Sequence, residues 1–475
     1  ALLNARLINL LERLITSTQT IITQKGLACP LMVVKGDGSL LHADIALSRP
    51  VETILSGPAA SLSGAAFLAG TKTALVADIG GTTTDIAFLN NGTPRLKKDG
   101  AFVGGWQTMV EAADIRTCGL GGDSEVTPIL RGRAGGLTLG PRRSIPLSIL
   151  SMRWPDMKKH LKSQLGRSVP ITHDARFVFP IMPDGIPKWL SKSETQVAKK
   201  ATTLGISPIN DIATTQLALS AINRLIGRGL LGLCSFTPPD ATHVIGSFTE
   251  FDTEAAIIGA ELMSRQRTGS GNAIAPTSSV FAEMTLAELH RRSMLALLDA
   301  AVAQDSGKEA EVSNNIMLAN VLAPSISNKT CLVSINMTLN TDVVALGASA
   351  KTHYPKIASK IAGSLIIPAH ANVAGAVGAA AGSVSQRVLI SITQPVESKF
   401  RVHLTDGPVD KSCLEDALSL ARLAAEELAI NRATEAGASK IDISLEEDIK
   451  LVPLTPEKNL FIEAIIYATA KGQPA

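Results

Sequence analysis

The chain has 475 residues, 45% hydrophobic, 18% charged and only 3% aromatic, enough for about two to four domains whose cores are packed by aliphatic side chains and alanine. Its 45 basic and 42 acidic residues leave a net charge of +3, with no long basic run or aromatic–basic interleaving, which argues against a nucleic-acid partner. Cys29, Cys118, Cys234, Cys331 and Cys413 stand singly, which argues against zinc or a disulfide framework and for a cytoplasmic protein, and no apolar run is long enough for a membrane span.

Leu2 to Ile22 carries apolar residues at helical spacing, among them Leu3, Leu7, Leu10, Leu11 and Leu14. The chain opens in this helix without an initiator methionine and without the order of a secretory signal, which predicts a piece of a longer protein. Pro30–Val34 reads as a short strand and Lys35–Gly38 as a turn. Glu52–Ser61 leads into a small-residue helix through Phe67, with an N-cap in Ser56-Gly57-Pro58 and proline in the first turn.

Two apolar runs then flank a polar turn, Ala74-Leu-Val-Ala-Asp-Ile-Gly-Gly-Thr-Thr-Thr-Asp-Ile-Ala-Phe-Leu89. This predicts two strands joined tightly, with Asn90-Asn91-Gly92 turning the chain into a third. Gly80 and Gly81 let backbone amides approach an anion closely, and Thr82, Thr83 and Thr84 add hydroxyl donors. Asp78 and Asp85 bracket the turn, where a carboxylate holds Mg²⁺ directly or through water. No Gly-Lys-Ser/Thr follows, so this is not a Walker loop. The string resembles the phosphate-binding hairpin of the actin, sugar-kinase and Hsp70 ATPase superfamily.

With Pro30-Leu-Met-Val33 and Thr53-Ile-Leu-Ser-Gly-Pro-Ala59 before it, the hairpin resembles the hydantoinase A / 5-oxoprolinase family, which includes subunits of acetone carboxylase type. Ala113-Asp-Ile-Arg-Thr-Cys-Gly-Leu-Gly-Gly-Asp-Ser124 resembles that family's Asp-Ile-His-Thr…Gly-x-Gly-Gly-Gly-Ser segment near the active centre. Arg116 stands where many members carry histidine, and Asp123 where many carry glycine. An arginine offers a bidentate clamp for a carboxylate or imide oxygen and cannot act as a base at neutral pH.

Between 145 and 235 prolines break the chain into short elements, with a strand near Ala175–Pro180. Two helices follow, separated near Gly205 and Pro208, one carrying Leu190, Val197, Ala201 and Leu204, the other Ile212, Leu219, Ile222 and Ile226. This region is either an insertion covering the substrate or a helical support. Gly232–Gly246 again resembles the family. There Thr237, Asp240 and His243 suit either a metal or proton-transfer role, or an Asp N-cap with a surface histidine. A helix spans 280–304, followed by a polar loop over 304–315. Asp342–Leu346 reads as a strand entering Gly347-Ala348-Ser349, which match the superfamily's adenosine turn. The Ala/Gly/Val helix after His370 allows very close packing and resembles the family's connecting helix, with Gly375 where asparagine is usual. Beyond 391 come strands at 388–393 and 400–404, a helix over 413–436 with Leu414, Leu418, Ala421, Ala425 and Leu428 on one face, and strands at 440–445 and 461–468.

The resemblance implies an α/β protein with an actin/Hsp70-like, ribonuclease-H-like ATPase core. The core is incomplete at the N-terminus, since the family's first phosphate hairpin is absent, and a small α+β C-terminal domain follows. The expected divisions are 1–50, a remnant of a preceding subdomain; 51–390, the nucleotide core with its insertion near 145–235; and 391–475. The implied activity is ATP-dependent ring opening of a cyclic amide or imide, of hydantoin or 5-oxoproline type, through phosphorylation of the carbonyl oxygen. ATP would lie on Gly80, Gly81, Thr82, Thr83, Thr84, Gly347, Ala348 and Ser349, and Mg²⁺ on Asp78 and Asp85. Asp85, Arg116 and Asp123 stand as catalytic candidates, Arg116 orienting substrate. A second hydantoinase-type subunit and an oligomer are expected, because this chain alone lacks one wall of the cleft. A nucleotide-switch module of actin or Hsp70 type, or an acetone-carboxylase-type subunit, stays open.

Overall fold

The computed structural model of the chain describes residues 2–97, 100–103, 106–108, 110–132, 135–306, 337–361, 363–455 and 458–475. Helix Ser278–Ser306 takes in 304–306 of the polar loop expected over 304–315; the rest of that loop and Cys331 lie outside these residues. Two compact units share the chain in alternation: 1–72, 89–114 and 373–475 form the first, and 73–88 with 115–372 the second. Among the described residues no helix is long and apolar enough to cross a membrane.

In the first unit a seven-stranded sheet joins residues far apart in sequence. Met32–Val34 and Leu40–His42 make an antiparallel pair across the Lys35–Gly38 turn, and Leu40 pairs parallel with Val384 of the strand Val384–Val396. That strand meets Lys399–Leu404, which continues into Gly407–Lys411, and also pairs along Lys458–Pro474, itself paired with Ala438–Thr455. Helix Leu414–Glu435 packs on this sheet through Ala417, Leu418, Ala421, Ala425, Ala429 and Ala433. The expected face is therefore turned slightly, with Leu414 and Leu428 at its margin, because an alanine row at steps of four lets the helix axis approach the sheet. The N-terminal helix Leu2–Gln24 contributes Ile15 and Leu11 to the same core.

Helix Ser56–Ala69 begins differently from expectation. Leu55 precedes it in the left-handed conformation, φ 64°, with no side-chain cap, so Ser56 is already the first helical residue. The helix packs on the short helix Ala374–Ala380 with backbone against backbone. A Cβ on Gly64 would meet the carbonyl of Ala374, and one on Gly378 the carbonyl of Ala60.

The second unit is built on a sheet with strands β1 (Ala74–Ile79), β2 (Thr84–Asn90), β3 (Ile115–Cys118), β4 (Asp342–Leu346) and β5 (Leu365–Ile366), in the order β3-β2-β1-β4-β5. β3 runs antiparallel to β2, whereas β4 runs parallel to both β1 and β5. β1 and β4 are nearly continuous buried apolar runs, as strands covered on both faces require. Helices Ser278–Ser306 and Ala350–Ala358 supply the covering side chains, including Met294, Leu297, Tyr354 and Ile357. The Asn91-Gly92 turn after β2 has φ of 52° and 75°, values that suit asparagine and glycine.

The rest of this unit is a four-stranded sheet, Ile145–Pro146, Leu231–Ser235, Phe177–Pro180 and Ser207–Pro208, with helices around it. The two expected helices are Lys192–Leu204 and Gln216–Gly227. Leu190 lies before the first, Leu204 is exposed, and Ile212 belongs to a separate turn, Ile209–Ile212, so each apolar face is shorter than its sequence pattern. Glu194 ties the pair together. Its carboxylate caps Ser191 and meets Arg224 at 2.8 Å and Arg228 at 3.0 Å.

The hydrogen bond from Arg224, with help from Ser191, lowers the Glu194 pKa to about 2. A carboxylate depressed in the folded state contributes stability above its unfolded pKa and loses it as pH falls through the folded value. Wild type should therefore lose melting temperature between about pH 5 and pH 2.5 more steeply than Glu194→Gln. Parallel acid slopes in the two proteins would refute this.

Candidate functional site

The C-terminal ends of β1 and β4 lie side by side, with Leu346 paired to Asp78. Gly347 follows β4 with φ +99°, and a Cβ there would run into the carbonyl oxygen of Ile79. Only glycine fits this approach. Its amide donates to Ala371 O at 2.9 Å, which fixes the turn leading through Ala348 and Ser349 into helix Ala350–Ala358. Such crevices beyond the carboxyl ends of parallel strands are where open α/β sheets bind ligands.

The hairpin between β1 and β2 is closed by a bond from Gly80 N–H to Thr83 O, 2.9 Å. It is clamped from below by residues 120–123: Gly122 N–H donates to Gly80 O at 3.0 Å and Asp123 N–H to Gly81 O at 2.6 Å. Gly121 is packed so closely that a Cβ would lie 2.5 Å from Gly81 O. Gly80, Gly81 and Thr82 are exposed and Thr83 is half-buried, so the tip is open to a ligand. Thr84 is placed otherwise than expected. It is buried, and its hydroxyl donates to Leu120 O at 2.7 Å, so it fastens the hairpin to its support and has no donor to spare for phosphate.

Asp85, the second residue of β2, lies opposite Thr117 of β3, whose hydroxyl donates to Asp85 Oδ1 at 2.6 Å. Burial raises the Asp85 pKa, the charge of Asp78 adds to the rise, and hydrogen bonds from Thr117 and Thr83 oppose it. Two carboxylates that repel each other beside an open glycine hairpin suit Mg²⁺, which takes one or two protein carboxylates and completes its shell with water and phosphate oxygens. Among the described residues no three His, Cys, Asp or Glu side chains gather to hold a metal ion.

Asp123 is brought to the hairpin, with its carboxylate against Gly81 and an ion pair to Arg143 at 3.0 Å. Arg116 is not. It pairs with Ile86 and alternates with Thr117 along β3, so it falls on the opposite face from Asp85, where it donates to Asp299 O at 3.2 Å. Asp240 and His243 are structural. The fully buried Asp240 accepts from the amides of Thr237, Leu147 and Ser148, tying together the starts of two helices. His243 is likewise buried: Nδ1 meets Pro239 O at 2.7 Å and Nε2 accepts from Phe251 N–H at 3.1 Å. Neither ring nitrogen is left for a metal, so the expected surface histidine is a core bracket.

Thr117, Arg143 and Tyr354 escaped the sequence reading. Tyr354 is wholly buried; burial, with the charge of Asp78 adding to it, raises its pKa, and among the described residues its hydroxyl has no hydrogen-bond partner. Thr117 lies inside the quoted Ile115–Cys118 stretch, but only the β2–β3 register assigns it to Asp85.

Residues 1–145 match the hydantoinase/oxoprolinase family model. No curated protein matches the chain in sequence. Among solved structures it is similar to acetone carboxylase in a nucleotide-free structure, titled for the mechanism of ATP-dependent acetone carboxylation, with a TM-score of 0.51 and 13% identity over 96% of this chain and 54% of that one. It is also similar to ATP-dependent caprolactamase from Pseudomonas jessenii, with a TM-score of 0.50 and 15% identity over 98% of this chain and 56% of that one. The chain thus spans about half the length of the structures it matches, and at these identities the likeness is one of fold.

Proposed function

We propose, from the premise that the chain belongs through residues 1–145 to the hydantoinase/oxoprolinase family, that it takes part in ATP-dependent ring opening of a cyclic amide or imide of hydantoin or 5-oxoproline type. The observation that carries this reading is the clamped Gly80–Thr83 hairpin with Asp78 and Asp85 at its two ends. The order β3-β2-β1-β4-β5, three antiparallel strands followed by two parallel ones, supports an actin-like, ribonuclease-H-like core for the second unit.

On this reading the exposed amides of the hairpin and the Thr82 and Thr83 hydroxyls bind the phosphates. The Gly347–Ser349 turn takes the nucleoside. Asp78 and Asp85 hold Mg²⁺, which when bound neutralises phosphate charge. Catalysis is then chiefly positioning and charge compensation. The amide oxygen takes the γ-phosphoryl group as ADP leaves. Water then adds to the carbonyl carbon, the ring C–N bond breaks as the nitrogen takes a proton to leave an acyl phosphate, and a second water hydrolyses that acyl phosphate to the carboxylate and inorganic phosphate.

Calorimetric titration with Mg-ATP tests the site. Micromolar binding that is lost in Asp85→Ala is expected, and affinity unchanged by that substitution overturns the assignment. ATP turnover by the chain together with its partner subunit should rise on addition of hydantoin or 5-oxoproline; turnover indifferent to any cyclic amide would remove the ring-opening reading.

A further inference from the structure

We propose that an open cavity of about 1080 Å³ in the second unit binds a small amphipathic carboxylate. Its volume lies just above the ~300–1,000 Å³ typical of sites for drug-sized ligands, well beyond the needs of a bare five-membered ring.

One wall is cationic. Arg142, Arg143 and Arg176 line the cavity against a single carboxylate, Glu125. Arg176 pairs with the buried Glu125 at 2.6 Å, while its Nε is buried with no hydrogen-bond partner. An unsatisfied buried donor of this kind is costly unless something accepts from it. Arg142 is held by Asn223 at 3.1 Å and stands 3.9 Å from Glu125. Arg143 is paired with Asp123 at 3.0 Å, and Glu125 alone cannot neutralise both Arg142 and Arg176, so the wall keeps one positive charge in excess, suited to an anion. His173 adds a neutral donor. Its Nδ1 accepts from Arg176 at 3.1 Å, which leaves the ring proton on Nε2, and burial beside Arg176 holds its pKa below the ordinary value.

Another part of the lining is apolar, formed by Leu219, Ile222 and Ile226 on helix Gln216–Gly227. A ligand covering both parts carries its charge at one end and a hydrocarbon body at the other. The cavity also adjoins the hairpin: Arg143, one of its lining residues, grips the same Asp123 whose amide bonds Gly81. A carboxylate held here would lie with its charged end on the Arg143 side, nearest the candidate phosphate site. This deepens the proposed function, on which it rests only for the step from ligand to substrate.

The test is calorimetric titration of the chain, without nucleotide, with phenylbutyrate and with the neutral phenylbutyramide. Phenylbutyrate should bind saturably at one site, and the amide roughly tenfold more weakly or worse. Arg142→Gln should weaken phenylbutyrate about tenfold at unchanged melting temperature, and Leu219→Ser should weaken both compounds. Absent saturable binding, equal affinity for acid and amide, or indifference to Arg142→Gln would each overturn the proposal. Asp85→Ala should bind phenylbutyrate normally. A chain that takes phenylbutyrate but whose Mg-ATP affinity is indifferent to Asp85→Ala therefore keeps the cavity and loses the proposed function, whereas Mg-ATP binding lost in Asp85→Ala without saturable phenylbutyrate binding does the opposite.

Discussion

Replacing Asp85 by asparagine should cost about a hundred- to a thousandfold in amide-stimulated ATP turnover, while the melting temperature stays level or rises by about 1–3 °C. The opposite signs follow from one environment. Burial and the neighbouring Asp78 raise the Asp85 pKa in the folded state. A carboxyl group raised in this way contributes its full stability below the unfolded pKa and loses it as pH rises through the folded value. At neutral pH the ionised group therefore costs stability. Asparagine keeps an oxygen for the Thr117 hydroxyl and removes the charge. Turnover and thermal melts on the same preparations check both halves; a fall of several degrees would make Asp85 a structural residue. Functional carboxylates held at the expense of the fold are a familiar trade.

The second large effect is expected in the first unit. Gly378→Ala should destabilise by about 3 kcal/mol or more, because its methyl group would be driven into the carbonyl of Ala60 and neither backbone has room to retreat. Gly57 lies in the partner helix Ser56–Ala69 and is the matched control, since a methyl group added there would meet nothing within 4 Å. Gly57→Ala should gain about 0.4–1 kcal/mol by restricting the unfolded chain. Urea unfolding of the two variants decides the matter. Similar small changes in both would mean that the helix pair tolerates separation.

These two cases also mark what can be read from the sequence. The hairpin was legible because its determinants are local: apolar runs of strand length, paired glycines and threonines between them, and a carboxylate at each end. The closeness of the Ala/Gly helix at 374–380 was legible from composition, but which glycine bears the contact depends on a helix three hundred residues earlier. Thr84, Arg116 and His243 were misjudged for one reason. Each looks free along the chain, and its partner comes from elsewhere: Leu120 for Thr84, Asp299 for Arg116, and a bracket of Pro239 and Phe251 for His243. The cavity was invisible for the same cause, since its walls come from segments between 125 and 227 that only the fold brings together.

The alternation of the chain between its two units also has a consequence for biosynthesis. Every residue of the second unit has been synthesised before the strand Val384–Val396 is made, whereas Leu40 in the first unit waits for that strand to supply its partner Val384. The interval is roughly 340 residues, or about 20–70 s of translation. During that time the early strands and the N-terminal helix have no later strands to pack against, and the apolar surface they will bury is exposed to association. The unit that holds the earlier residues of this chain is thus completed only after those of the second unit have been made.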